Sequence, residues 1–214
     1  LFNIMKTLLH VGCGYLNKSD LKGFDNHDWK EIRFDVDEDV NPDVVGTLID
    51  LSMFDAGSFD AIYSAYSIDF IHPHEVPIAF KEFHRVLKQD GFVVIRCADI
   101  QRVCELVGED KLLETIYESP VGPVSPIDML FGNRKQIAKG NKYMTKKGGF
   151  TYSVLNNALG EAGFQIRYGG RIKNSWALSV VAFKQKISEE EIKRMADPFS
   201  VSYTHLRAHE TDSY

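Results

Sequence analysis

The sequence predicts an α/β protein, a doubly wound and mostly parallel sheet with an antiparallel hairpin at its C-terminal end. Three observations carry this. Short apolar, β-branched runs alternate with helix-period segments up to residue 97, the pattern of successive right-handed crossovers. The first run, residues 7–11, ends in Gly12-Cys13-Gly14, a tight turn at the strand end where such sheets bind ligands. Finally, residues 164–171 and 175–183 are two strand-like runs joined by a short turn. With 214 residues, 44% of them hydrophobic, the chain can bury one sizeable core.

Each element follows in order. Residues 7–11 read as a buried parallel strand. Residues 15–27 are too polar and glycine-interrupted for a long helix, and predict at most a short one over 18–22. Residues 29–36 give a second strand closing on Asp35, Asp37, Glu38 and Asp39, and 42–48 a third, shorter one. Ser58-Phe59-Asp60 opens a fourth at 61–65. Pro73 sits where a helix can begin, and Val76, Ala79, Phe80, Phe83, Val86 and Leu87 recur on one face until Asp90-Gly91 ends it. A fifth strand spans 92–97 and a helix 100–116. Residues 117–150 carry Pro120, Gly122, Pro123, Pro126, Gly132, Gly140, Gly148 and Gly149 among basic residues, which predicts a lid or binding loop. Thr151 opens a helix to residue 162, closed by Gly163, and 188–195 read as a charged surface helix.

The domain reading is one unit over 1–184 containing that insertion, then a partial helix over 185–200. Residues 201–214 read as a non-native tail, because 201–211 lack any period and resemble a translated sequencing adapter; His205 and His209 are then incidental. Met5-Lys6-Thr7 reads as the native start, leaving residues 1–4 upstream of it.

A formal net charge of −5 argues against a surface built for nucleic-acid phosphates or anionic lipid. It favours a small-molecule or protein substrate. Cys13, Cys97 and Cys104 form no CxxC pair, which suits reduced thiols rather than disulfides or a metal site. No apolar run approaches the about 20 residues that span a bilayer, and no basic-then-apolar leader is seen. A cytoplasmic protein is expected.

Gly12 and Gly14 let backbone approach a ligand closely, although two glycines at this spacing also occur in purely structural turns. A dinucleotide site would want G-x-G-x-x-G, and Asn17 stands at its third position; this disfavours a nicotinamide oxidoreductase. Asp35 ends the second strand at the spacing, about 20 residues on, at which a carboxylate reaches ribose hydroxyls. Asp37 is the alternative, and the acidic cluster can also be a solvated turn.

The ordered set Leu9-His-Val-Gly-Cys-Gly14, Phe34-Asp-Val-Asp37, Asn41-Pro-Asp-Val-Val-Gly46, Asp50-Leu51, Ser58-Phe-Asp-Ala-Ile-Tyr63, Ala79 to Lys88 and Gly91-Phe92 resembles bacterial class I S-adenosylmethionine (SAM)-dependent methyltransferases. The resemblance implies a Rossmann-like sheet of about seven strands with a reversed one at the edge, and SAM as cofactor. It places Gly12 and Gly14 along the methionine part, Asp35 at the ribose, and Thr47 and Leu48 at the adenine. His10 stands where the family has Asp or Asn, and Thr47 where it often has Asp, so an adenine contact falls to the Thr47 hydroxyl, Asp50 or backbone. His10, Gly12, Cys13, Gly14, Asp35, Thr47, Leu48 and Asp50 are thus the expected cofactor contacts.

Ile68-Asp69-Phe70 stands in place of the family's Leu-Glu-His. Tyr66, Asp69 and His72 then lie where a methyl acceptor would approach, each a general base or merely wall; Tyr66 could simply pack, and His72 could cap the next helix. Asp128, Lys142 and Tyr143 are candidates for acceptor contacts, and Glu82 with Arg85 reads as a surface pair or a brace. The implied function is methyl transfer from SAM to a small-molecule acceptor. The alternative is a SAM-binding accessory module without turnover.

Overall fold

The computed structural model describes residues 5–119 and 122–199. The readings of residues 1–4 and 201–214, and of Pro120, lie outside the described residues. Among the described residues nine strands form: β1 (Lys6–Val11), β2 (Trp29–Asp35), β3 (Val44–Val45), β4 (Phe59–Ala65), β5 (Leu87–Ala98), β6 (Tyr117–Ser119), β7 (Gly122–Val124), β8 (Ile166–Arg171) and β9 (Ala177–Phe183). Seven of them make one sheet in the order β3-β2-β1-β4-β5-β9-β8, while β6 and β7 pair separately. β1 to β5 run parallel, and β9 is antiparallel to both β5 and β8. The reversed strand therefore lies one place in from the edge, and β8 outside it returns to the common direction. The order reverses at β1, which pairs β2 on one side and β4 on the other. A crevice opens at the carboxyl ends there.

One face of the sheet presents Leu9, Phe34, Ile62, Val93 and Val180 to helices α1 (Val76–Val86) and, later in the chain, 152–161. α1 starts three residues after Pro73; Pro77 sits in its first turn instead, where the missing N–H costs nothing. It also stops sooner than expected, for Leu87 is already strand and Asp90-Gly91 lies inside β5. Asp60 explains the early strand: its carboxylate takes Lys88 Nζ at 2.9 Å and the Thr7 N–H at 2.7 Å, tying the start of β5 to its neighbours.

Helix α2 (Ile100–Gly108) is half the expected length, ending where Asp110 turns left-handed at φ 60°. Beyond it the insertion is structured rather than irregular. It holds the β6–β7 hairpin, α3 (Pro126–Phe131), α4 (Arg134–Ala138) and a 3-10 turn at Lys142–Met144. Ser125 and Asp128 form a capping box on α3, and Arg134 adds a 2.8 Å ion pair to Asp128. Helix α5 (Tyr152–Glu161) is capped by the Thr151 hydroxyl and closed by Gly163 at φ 106°.

The opposite face carries Leu8, Tyr63, Phe92 and Val181. The β1–β2 connection leaves that face without an α-helix, forming only a 3-10 turn at Lys18–Asp20. Leu21 and Phe24 cover part of the surface. The rest is covered by α6 (Glu189–Ala196), whose Ile192 and Ala196 pack there together with Phe199. Among the described residues no helix is long and apolar enough to cross a membrane.

Candidate active site

A cavity of about 180 Å³ opens at the carboxyl ends of β1, β2 and β4. Its floor is the glycine turn. Gly12 has φ 66°, and a Cβ added there would stand 2.3 Å from Ser67 Cβ, so only glycine lets β1 pass the turn after β4. Gly14 has φ 51°, and an added Cβ would meet nothing within 4 Å; backbone is bare toward open space. The Arg33 guanidinium locks this turn, donating to the Leu16, Gly14, Val40 and Asn41 carbonyls.

Asp35 stands beside it. Its Oδ2 accepts from the Gly14 N–H at 2.8 Å and its Oδ1 from the Asp37 N–H at 3.0 Å. An ionised carboxylate offers about four acceptor sites, so capacity remains for hydroxyl donors. Asp37 lines the same cavity but also caps the turn that follows, accepting from the Asp39 N–H. Phe34, Leu48, Phe70 and Val40 give the cavity an apolar wall, and Asn141, Tyr143 and Met144 of the insertion line it as well.

Of the expected residues, Gly12, Gly14, Asp35, Leu48 and Tyr66 are brought together here. The others are elsewhere. His10 is buried within the sheet, bonded through Nδ1 to Glu31 Oε1 at 2.8 Å and edge-on to Tyr63; alternation along β1 turns it to the face opposite Leu9. Cys13 is buried too, and burial pushes its thiol up to about 11, so it stays protonated. Thr47 and Asp50 do not line the cavity: Thr47 accepts from the Asp50 N–H through its carbonyl, and Asp50 accepts from the Ser52 N–H. That hydrogen bonding lowers the Asp50 carboxyl below its ordinary value.

The three residues expected at the acceptor end separate in the same way. Tyr66 lines the cavity with φ 54°, a left-handed conformation costly for a tyrosine. Desolvation raises its phenol above the ordinary value, with the Arg96 charge opposing, so the hydroxyl is a donor rather than a base. Asp69 is fully buried, 3.0 Å from Lys146 Nζ, and its carbonyl accepts from the Lys147 and Gly148 N–H groups. Its carboxylate thus anchors the insertion. His72 is exposed and stacks on His74; its own N–H is taken by Glu75. It does not cap α1.

Glu82 and Arg85 act as a brace: Arg85 grips Glu82 and the Leu51 and Phe54 carbonyls, while Glu82 takes the Leu51 N–H. Tyr143 reaches the cavity, but Asp128 serves the α3 cap. Sequence reasoning missed Phe70 and Met144 as lining residues, and Arg33 as the clamp on the turn. Phe70 did carry a signal, standing where the resembling family has histidine. Among the described residues no group of three His, Cys, Asp or Glu could hold a metal ion.

Residues 9–95 match the family model described as a methyltransferase domain. The fold is similar to that of a SAM-dependent methyltransferase from Archaeoglobus fulgidus, at 12% identity and a TM-score of 0.55, covering 86% of this chain and 88% of that one. A protein from Pyrococcus horikoshii is similar at 17% identity and a TM-score of 0.56, with 84% and 82% covered. A third is the 1,6-didemethyltoxoflavin-N1-methyltransferase from Burkholderia thailandensis, solved with bound 1,6-didemethyltoxoflavin and S-adenosylhomocysteine, at 14% identity, a TM-score of 0.51, and 85% and 72% covered. No curated protein matches the sequence.

Residues 9–95 thus carry the match to a methyltransferase domain, set within a Rossmann-like α/β fold shared with these structures. The residues present would fit SAM, the cofactor named for one of these similar structures: bare glycine backbone facing open space, a carboxylate with free acceptor capacity at the end of β2, and an apolar wall beside it.

Proposed function

We propose that this chain is a SAM-dependent methyltransferase acting on a small-molecule acceptor in the cytoplasm, that residues 1–184 are its working unit, and that residues 117–150 are the lid over its site. The supporting observation is that Asn141, Tyr143 and Met144 of the insertion line the same cavity as Gly14, which narrows a partly open cleft toward the size of a small acceptor rather than a polymer.

In this reading Gly12 and Gly14 lie along the methionine part of SAM, Asp35 accepts from the ribose hydroxyls, and Leu48 and Phe34 border the adenine. SAM, when bound, supplies a methyl group already activated on a positively charged sulfur. The chain's own work is then chiefly positioning. Tyr66 donates a hydrogen bond that orients the acceptor. Asp69, held by Lys146, keeps the lid against the turn after β4. No base is required if the acceptor atom carries a lone pair at neutral pH.

A SAM-binding module without turnover is the second reading, favoured by one observation: neither Asp69 nor His72 lines the cavity as a base. Purified chain incubated with labelled SAM and fractionated small-molecule cell extract separates the two. Release of S-adenosylhomocysteine with a labelled small product supports transfer; cofactor binding with no release from any fraction removes it. Asp35→Ala and Gly14→Val are expected to weaken S-adenosylhomocysteine binding by more than tenfold, and unchanged affinity in both would overturn the assigned contacts.

A further inference from the structure

A second cavity, of about 100 Å³, is lined in part by residues of the β1–β2 connection that also carries Tyr15. It is lined by Asp20, Lys22, Tyr63, Arg96, Pro198 and Phe199. Its unusual member is Arg96. The residue sits within the sheet, opposite Ala65 of β4 and Ser179 of β9, and its Nε is buried with no hydrogen-bond partner.

Arginine is rarely placed so without an acid. Other arginines of this chain are satisfied: Arg85 has Glu82, Arg134 has Asp128 and Arg171 has Asp99 as ion partners, and the Arg33 guanidinium donates to four carbonyls. Among the described residues no carboxylate pairs with Arg96. Ser179, its neighbour across the ladder, is fully buried and its hydroxyl is likewise unpartnered; residues directly opposite in a ladder share a face. Lys22 adds a second positive charge, and the one carboxylate present, Asp20, is already engaged by the Asn17 N–H.

This patch adjoins the reacting end of the cofactor site. The Tyr66 N–H donates to the Arg96 carbonyl at 2.7 Å, and Tyr66 lines the first cavity. The second cavity is partly open and a little over half the volume of the first, a size that suits a small headgroup.

We propose that Arg96 and Lys22 form an oxyanion subsite, holding the carboxylate or phosphate of the methyl acceptor while its nucleophilic atom lies beside Tyr66. The assignment of the occupant to the acceptor rests on the methyl-transfer reading above; the anion site itself does not. A planar guanidinium fork suits either oxyanion through paired N–H donors.

Calorimetric titration of the full chain with acetate and with inorganic phosphate tests the subsite, each in the presence and absence of S-adenosylhomocysteine. Binding of at least one probe in the millimolar range is expected, weakened tenfold or more in Arg96→Gln and less in Lys22→Ala. Acetate binding more tightly points to a carboxylate acceptor, phosphate to a phosphorylated one. Arg96→Lys keeps the charge without the fork, and is expected to lose acetate more than phosphate. Absence of binding of both probes to the unsubstituted chain, or equal binding in Arg96→Gln, overturns the site.

Affinity for S-adenosylhomocysteine should change by less than threefold in Arg96→Gln. Loss of that affinity in the unsubstituted chain would count against the methyl-transfer reading and leave the anion site standing. The labelled product from cell extract is expected to be retained on an anion exchanger at neutral pH. A neutral product would sever the subsite from the acceptor.

Discussion

The two walls of the cofactor cavity are built on different principles. The sheet-side wall, Gly12, Gly14 and Asp35, stands at the ends of the directly paired strands β1 and β2, where Val11 lies opposite Phe34, and is clamped by Arg33. The insertion-side wall, Asn141 to Met144, is tied to the turn after β4 by one buried ion pair, Asp69 with Lys146, and two N–H groups on the Asp69 carbonyl, and to the rest of the insertion through the Lys146 N–H on the Phe131 carbonyl and the Gly132–Thr145 bridge. The first wall cannot move without breaking the sheet. The second depends on a single buried side-chain pair and a few backbone hydrogen bonds, as the proposed lid would require.

Gly12→Ala attacks the rigid wall and should have the largest effect. The new methyl would lie 2.3 Å from Ser67 Cβ at a φ of 66°; overpacking and left-handed strain together cost about 4 kcal/mol. A urea-denaturation midpoint equal to that of the unsubstituted chain would show that the turn can give way. Lys146→Met attacks the suspended wall. It strands the buried Asp69 carboxylate, whose Oδ1 already lacks a partner, at a cost of about 3 kcal/mol. Adding Asp69→Asn should recover part of the loss. Hydrogen exchange of residues 141–148 should rise in the single variant while β1 stays protected; uniform loss of protection would mean the walls are not separable.

Acid should loosen the insertion in its own way. Burial opposes ionisation of Asp128, but hydrogen bonds from Arg134 and Ser125 outweigh it and hold the carboxyl well below its ordinary range. A depressed native value stabilises the fold above the unfolded value of about 3.9, and that contribution is lost as the pH falls below it. Glu82, lowered chiefly by Arg85, acts in the same direction. Stability is therefore expected to be insensitive to both groups from pH 7 to 5 and to fall below about pH 4. Asp128→Asn should flatten that acid limb by on the order of 1 kcal/mol; an unaltered limb would remove Asp128 from the account.

The contrast also explains what could be read in advance. The sheet, α1, α5 and α6 were legible because apolar period, Thr151 and Ser188 are local signals. Gly12, Gly14 and Asp35 were legible because they lie at a strand end. Contacts across long sequence separation were not: Lys146 meets Asp69 over 77 positions, and nothing near either residue marks the pair. His10 was misplaced because one step along a strand changes the face, and its partner Glu31 lies on the neighbouring strand. The short β3 and the shortened α2 reflect turn geometry at Asn41 and Asp110, both left-handed, which composition does not announce.

Tyr66 sits where the two walls meet, and the smallest effect tests whether its backbone is held for function. A tyrosine at φ 54° carries about 1 kcal/mol of conformational strain, part of which glycine would relieve, less its own larger entropy loss on folding. Tyr66→Gly is thus expected to gain about 0.5 kcal/mol in stability. Tyr66→Phe keeps the strain and the ring but removes the hydroxyl. If the phenol orients the acceptor, both variants should lose at least tenfold in turnover while S-adenosylhomocysteine affinity holds in Tyr66→Phe. Full activity in Tyr66→Phe would reduce the residue to part of the wall. A destabilised Tyr66→Gly would show instead that ring packing, not strain, decides the conformation at the end of β4.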